Sequence, residues 1–377
     1  MLKKIFSIVL SALLVFNCSL TLAYDESTLH SKSAILGDSR SDCIMFEHNA
    51  DEKLPIASMT KIMTMLLTME AVDSGKISLS DVVVVSETAA KKEGSHVYLS
   101  PGENITVDEL LKAVAVASGN DAAMALAEHV GGSIDEFVAL MNKRAKELGM
   151  NNTNFVNCNG LDDPNHYSSA RDVYIMTKEL LKHEKIINYT TIWMDTLRGG
   201  AFGLSNTNKL VRHYEGTTGV KTGSTSIAGF CVSASALRNN MHLISVVVGA
   251  DSSQHRFADA SNLLNYGFNS YKSIEKGKKN QVHKYVEISK SKNKLYPVVY
   301  SKDVSFICPK TINEKEIKVE EKLENNLSAP MKKDTKIGEI TYIYNGNILG
   351  KTDVVMKETA EKIDVLYVFK QLMQEII

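Results

Sequence analysis

The chain has 377 residues, 44% hydrophobic and 23% charged, with 22 glycines and 6 prolines, which excludes a disordered, collagen-like or low-complexity protein. Its 43 lysines and arginines against 44 acids leave a net charge of −1, so no overall basic field points to nucleic acid. Beyond the N-terminus no run approaches the roughly 20 apolar residues of a membrane-spanning helix, which excludes a polytopic membrane protein, and the length suits two or three domains.

Residues 1–23 read as an address. Lys3 and Lys4 form a positive segment, Ile5 to Phe16 an apolar one, and Thr21-Leu22-Ala23 a small-residue cleavage site. That order predicts a secretory signal peptide cut after Ala23 and an exported protein; the apolar stretch is short for an uncleaved anchor helix. Val15-Phe16-Asn17 ahead of Cys18 is too bulky for a lipid-attachment site. Loss of Lys3 and Lys4 moves the net charge from −1 to −3.

Apolar helices are predicted at 59–70 and at 107–117, the second opened by the capping box Thr106-x-x-Glu109. A further helix is expected over Ala122–His129, capped by Asp121. Strands follow at 229–237 and 241–249, a hairpin around Arg238-Asn239-Asn240. Helices in the middle and strands late in the chain predict an α+β or α/β layered domain. After Tyr271 the sequence is lysine-rich, lacks arginine, and alternates over Lys284–Ile288 and Lys336–Tyr344. Asn345-Gly346 there is a strong hairpin signal. The expected division is a signal peptide 1–23, a domain 24–271, a small β domain 272–358 and a C-terminal helix 359–377. Over 361–377 the apolar residues recur at helical spacing, which fits either a helix packed on its own domain or one lying in a membrane interface.

Four cysteines remain after the signal, Cys43, Cys158, Cys231 and Cys308, spaced like neither a zinc ribbon nor a compact disulfide scaffold. Disulfides are permitted in an exported chain of this size but not required. Ten histidines include no HExxH, and neither a metal nor another cofactor is expected.

Chemistry enters with Ser58-Met59-Thr60-Lys61. A helix starting near Ser58 puts Ser58 and Lys61 one turn apart on one face. A serine hydroxyl needs a neighbouring base, and a lysine amine serves when burial and nearby positive charge lower its pKa. Taken alone the motif carries little, because Ser-x-x-Lys recurs at 273–276, 289–292 and 291–294 in the lysine-rich region. Ser118-Gly119-Asn120 offers a hydroxyl for proton relay and an amide for a peptide substrate, although a simple inter-helix turn reads the same way. Lys221-Thr222-Gly223 precedes Ser224; lysine and threonine at a strand edge suit a carboxylate, and glycine lets a substrate backbone approach. The three motifs in this order are far less probable by chance than any one.

This set resembles the signature of penicillin-recognising serine enzymes, and its spacing resembles the D-alanyl-D-alanine carboxypeptidases, peptidase family S11. Gly160-Leu161, His166-Tyr167-Ser168, Ala170-Arg171-Asp172, Asn206-Thr207-Asn208-Lys209-Leu210, Gly219-Val220 and Arg256-Phe257 ahead of Leu263-Leu264-x-x-Gly267-Phe268 are similar to that family too. The resemblance implies a penicillin-binding/β-lactamase-like transpeptidase domain, an antiparallel sheet with helices, followed by a small β-rich domain. It implies Ser58 as the acylated nucleophile, Lys61 as its base and Ser118 as the relay to the leaving D-alanine. Asn120 would hold the substrate amide, Lys221 and Thr222 the terminal carboxylate, and Arg256 would be either a second carboxylate contact or simply a surface or structural arginine. The backbone N–H groups of Ser58 and Ser224 would form an oxyanion hole. Peptidoglycan stem peptides and β-lactams are the implied partners, with no nucleic acid. Apart from the resemblance, the lysines of 272–294 read either as a solvated face or as attraction to anionic lipid or wall polymer, and the second reading, joined to the apolar face of 361–377, predicts peripheral membrane contact.

Two alternatives stand beside it. A class A β-lactamase should carry Ser-Asp-Asn and a Glu-x-x-Leu-Asn loop, and here Glu324-x-x-Leu327-Ser328 is imperfect and lies in the β region. A non-catalytic cell-wall-binding protein on the same fold would need no activated nucleophile.

Overall fold

The computed structural model describes residues 24–365, 367, 368 and 373. The expected signal peptide 1–23 therefore lies outside the described residues, as does much of the expected C-terminal helix. The chain divides into two units, one ending at Asn269 and the other beginning at Ser270.

The first unit is built on an antiparallel sheet of β1 (Ser33–Asp38), β2 (Ile44–His48), β3 (Thr217–Thr225), β4 (Gly229–Arg238) and β5 (Met241–Ala250), in the order β2-β1-β5-β4-β3. The run Val246-Val247-Val248 is apolar without alternation because β5 is central and covered on both faces. Ile35, Ile244, Val246 and Val248 join the main core cluster on one face. On the other, Leu36 and Leu243 meet Gly267 of a long helix, where a methyl group would lie 2.6 Å from Leu243. The β4–β5 hairpin turns on Asn239-Asn240, both at positive φ (50° and 61°), as a two-residue turn of the twisted-hairpin type requires. Asparagine tolerates that region, so the turn is tighter than the three residues expected from the sequence.

Helices cover the sheet: α1 (Lys61–Asp73), α2 (Val107–Lys112), α3 (Asn120–Gly131), α4 (Ile134–Glu147), α5 (Ala170–Leu180) and α6 (Ser253–Ser270). Residues Lys61 to Met69 of α1 are all buried, so this helix runs through the core and shows little amphipathic period. The Thr106–Glu109 capping box forms as expected and opens α2. The predicted 107–117 helix changes character at Ala113, becoming one π-helical segment to Ala117, a distortion frequent at functional sites.

The second unit holds β6 (Tyr271–Gly277), β7 (Val282–Glu287), β8 (Leu295–Tyr300), β9 (Val304–Pro309), β10 (Lys318–Leu323), β11 (Lys336–Tyr344) and β12 (Asn347–Met356). They form a five-stranded sheet, β7-β8-β12-β11-β10, and the pair β6-β9 around Tyr296, Val298, Phe306, Ile340 and Val354. Asn345-Gly346 makes the β11–β12 turn, both at positive φ. Residues 359–364 are not helical, contrary to the expected start at 359: Ala360 bridges to Met331 and Lys362 to Ser291. Strand-like pairing claims these backbone groups. Val365, Tyr367, Val368 and Met373 are helical.

Candidate active site

Ser58 sits in a 3-10 turn, Ala57–Thr60, that leads directly into α1 at Lys61. Ser58 is half-buried and Lys61 fully buried, so the i, i+3 spacing becomes a contact. Lys61 Nζ lies 2.8 Å from Ser58 Oγ, 2.6 Å from Asn120 Oδ1 and 2.8 Å from the Asn159 carbonyl. Two of these are permanent acceptors that bind either protonation state, which leaves the third direction for a lone pair aimed at the Ser58 hydroxyl. Burial pulls the ammonium down to about 7, against weaker opposing effects of Cys158 and Asp121. A half-neutral amine at hydrogen-bond distance is what a serine nucleophile requires.

The second motif closes the site from the π-helical segment. Ser118 ends it in left-handed conformation at φ 61°, and Gly119 turns the chain into α3. Asn120 is the first residue of that helix, not a turn residue as the sequence suggested. Its amide is largely committed: Oδ1 accepts from Lys61, Nδ2 donates to the Glu93 carbonyl at 2.5 Å, and its N–H donates to the Ser95 carbonyl. Gly94, at φ 96°, makes room for this, since a methyl group there would stand 2.4 Å from Asn120 Nδ2. Asp121 is not a simple helix cap. Its buried carboxylate accepts the N–H groups of Val97 and Leu99 and so ties the 93–99 segment beside the site.

The third motif lies on β3, the sheet edge nearest the nucleophile. A methyl group on Gly223 would lie 2.6 Å from the Ile56 carbonyl and 3.0 Å from the Ser58 nitrogen. Glycine is required here by proximity. Lys221 is buried, its Nζ 2.9 Å from the Thr222 carbonyl. Burial, then the charges of Lys61 and Arg256, hold it well below the usual lysine range. Thr222 donates its hydroxyl to Thr207 Oγ1 at 2.8 Å. Ser224 follows, exposed on the same edge. Arg256 is buried; its guanidinium donates to the Gly223 and Cys231 carbonyls and stacks near Phe257 and Phe230. Burial lowers its pKa to about 10.

The fold thus joins Ser58, Lys61 and Asn120 by direct contact, sets Gly223 against Ser58, and attaches Arg256 through the Gly223 carbonyl. Sequence reasoning missed Asn159, whose carbonyl is the third partner of Lys61, and Thr207, the partner of Thr222. Asn159 precedes Gly160-Leu161 and Thr207 lies within Asn206–Leu210, both runs that carry the family resemblance, but nothing local marks a carbonyl or a threonine as part of a site. Among the described residues no group of three or more His, Cys, Asp or Glu side chains is arranged to hold a metal ion.

A family model described as D-alanyl-D-alanine carboxypeptidase matches residues 21–252, and one described as penicillin-binding protein 5, C-terminal domain, matches residues 268–362. The D-alanyl-D-alanine carboxypeptidase DacF of Bacillus subtilis is 43% identical over 351 residues, 92% of this chain and 90% of the relative. DacC of Escherichia coli is 33% identical over 346 residues, 90% and 86% of the two chains. The crystal structure of penicillin binding protein 5 from Haemophilus influenzae superposes with a TM-score of 0.77 at 31% identity, covering 88% of this chain and 98% of that one.

Proposed function

The chain belongs to the D-alanyl-D-alanine carboxypeptidase family, peptidase S11, a serine-type hydrolase and penicillin-binding family, and from that premise we propose how its residues divide the reaction. The neutral Lys61 amine takes the Ser58 proton as Oγ attacks the carbonyl of the penultimate D-alanine in a stem peptide. The N–H groups of Ser58 and Ser224 receive the developing oxyanion. Ser118 passes a proton to the nitrogen of the leaving D-alanine, and the acyl-enzyme on Ser58 is then hydrolysed by water deprotonated through Lys61. Asn120 orients Lys61 and keeps one amide hydrogen for the substrate. Lys221 and Thr222 take the terminal carboxylate, the Thr222 hydroxyl turning from Thr207 to do so, and Arg256 adds positive charge from behind the Gly223 carbonyl. The single observation that supports this reading most is the 2.8 Å contact from Lys61 to Ser58 in a fully buried setting.

The carboxypeptidase reading stands over a class A-like β-lactamase and over a non-catalytic wall-binding protein, since the family model and the relatives are carboxypeptidases. Action outside the cytoplasm, after export through residues 1–23, follows from a peptidoglycan substrate. The division into 24–271 as catalytic domain and 272–358 as β domain is part of the same proposal. The test is release of D-alanine from diacetyl-Lys-D-Ala-D-Ala together with covalent labelling by fluorescent penicillin. Both are expected for the wild type and neither for Ser58→Ala; equal release by that variant removes Ser58 from the mechanism.

A further inference from the structure

His166 lies outside the set of residues that touch substrate, yet it is buried, with 4% exposure, beneath the nucleophile's turn. Its Nδ1 accepts the N–H of Val156 at 3.1 Å, so that nitrogen carries the lone pair. The neutral ring then holds its hydrogen on Nε2, 2.7 Å from Thr60 Oγ1. Thr60 must accept there, and its own hydroxyl hydrogen goes to the Ala57 carbonyl at 2.9 Å. Every proton in this chain has one place to go. Burial supports the assignment by drawing the imidazole down to about 4, against the pull of Asp163 and Asp162, so the ring stays neutral.

The chain ends on a peptide unit that matters. Ala57 holds φ 46°, in the left-handed region where a side chain is disfavoured. Its carbonyl is pinned from a second side by Gly160, where a methyl group would come within 2.0 Å of the oxygen. The Ala57 carbonyl and the Ser58 N–H are the two ends of one planar amide, so fixing the oxygen fixes the direction of the hydrogen.

We propose that His166 is a positioning residue for the oxyanion donor: through Thr60 it locks the Ala57–Ser58 peptide so that the Ser58 N–H is aimed before substrate arrives. The proposal rests on the carboxypeptidase reading above and deepens it. Neither Thr60 nor His166 contacts the reacting atoms.

The experiment separates covalent acylation by benzylpenicillin (k2) from non-covalent binding (K) in Thr60→Val, Thr60→Ser, His166→Gln and the Thr60→Val/His166→Gln pair, all checked for an unchanged melting temperature. Thr60→Val, nearly the same shape without the hydroxyl, is expected to lower k2 by about 10–100-fold, at or below the roughly 10²–10³-fold lost with a whole oxyanion donor, because the N–H is misaimed and not removed. K should change less than about threefold, and Thr60→Ser should recover wild-type k2, which a merely packing role of the methyl group would not produce. The double variant should be no slower than Thr60→Val alone, because links in series fail once. Nitrogen-15 NMR of the imidazole, assigned through His166→Gln, should show the Nε2–H tautomer. A Thr60→Val enzyme with wild-type k2, or a His166 ring protonated on Nδ1, overturns the relay. The NMR result does so whatever the wild-type activity, so failure of the relay and failure of the carboxypeptidase reading are told apart.

Discussion

If Lys61 is the base, its protonation state should govern acylation directly. Burial brings the group to about 7. With that value about 90% of the enzyme holds a neutral amine at pH 8 and about 10% at pH 6, so penicillin acylation should fall by about tenfold between them. Because the folded pKa is depressed, the active form is the one present above pH 7 and lost as pH drops. Lys61→Arg keeps a cation but cannot become neutral in this range. Its acylation should drop by about 10³–10⁴-fold, a loss of about 4–5.5 kcal/mol in transition-state stabilisation. The assay is the rate of fluorescent penicillin attachment from pH 5.5 to 10, with melting temperature as control for the bulkier side chain. A flat profile from pH 6 to 8, or a folded Lys61→Arg enzyme acylating within tenfold of wild type, would refute the role.

Gly160→Ala combines a φ of 85° with a contact of 2.0 Å to the Ala57 carbonyl; it should destabilise by about 2–4 kcal/mol, and a melting temperature equal to wild type would contradict the packing described. Thr207→Val removes the acceptor of the Thr222 hydroxyl; a loss of about 1 kcal/mol, or about fivefold in kcat/KM for peptide, is expected, and unchanged peptide kinetics would leave Thr207 without a part in the site. Truncation after Asp364 tests the tail. If it holds the protein at a membrane, the shortened form should leave anionic liposomes that the full chain binds at low salt, with peptidase activity intact. The lysines of 272–294 are poorly placed to do this alone, since Lys272, Lys276, Lys278, Lys284, Lys292 and Lys294 each face a carboxylate within 4 Å. Flotation of neither form would assign the tail to its own domain.

Much of this protein is written locally. The capping box at Thr106, the Asn345-Gly346 turn and the one-turn spacing of Ser58 and Lys61 depend on hydrogen bonds or geometry within four residues, and each is legible without a fold. The order of three short motifs was enough to point to a chemistry. What tertiary structure alone decided is where those groups find their partners. Lys61 becomes a base because α1 is buried on all sides and because a carbonyl 98 residues away, from Asn159, takes one of its hydrogens. Asp121 looks like a cap and is instead a tether for Val97 and Leu99. The C-terminal helix expected over 359–377 starts later than its spacing suggests, because Ala360 and Lys362 are drawn into strand-like bridges. Burial and long-range hydrogen bonds come from how the elements pack, and packing outweighs the small energies by which local sequence prefers one conformation over another.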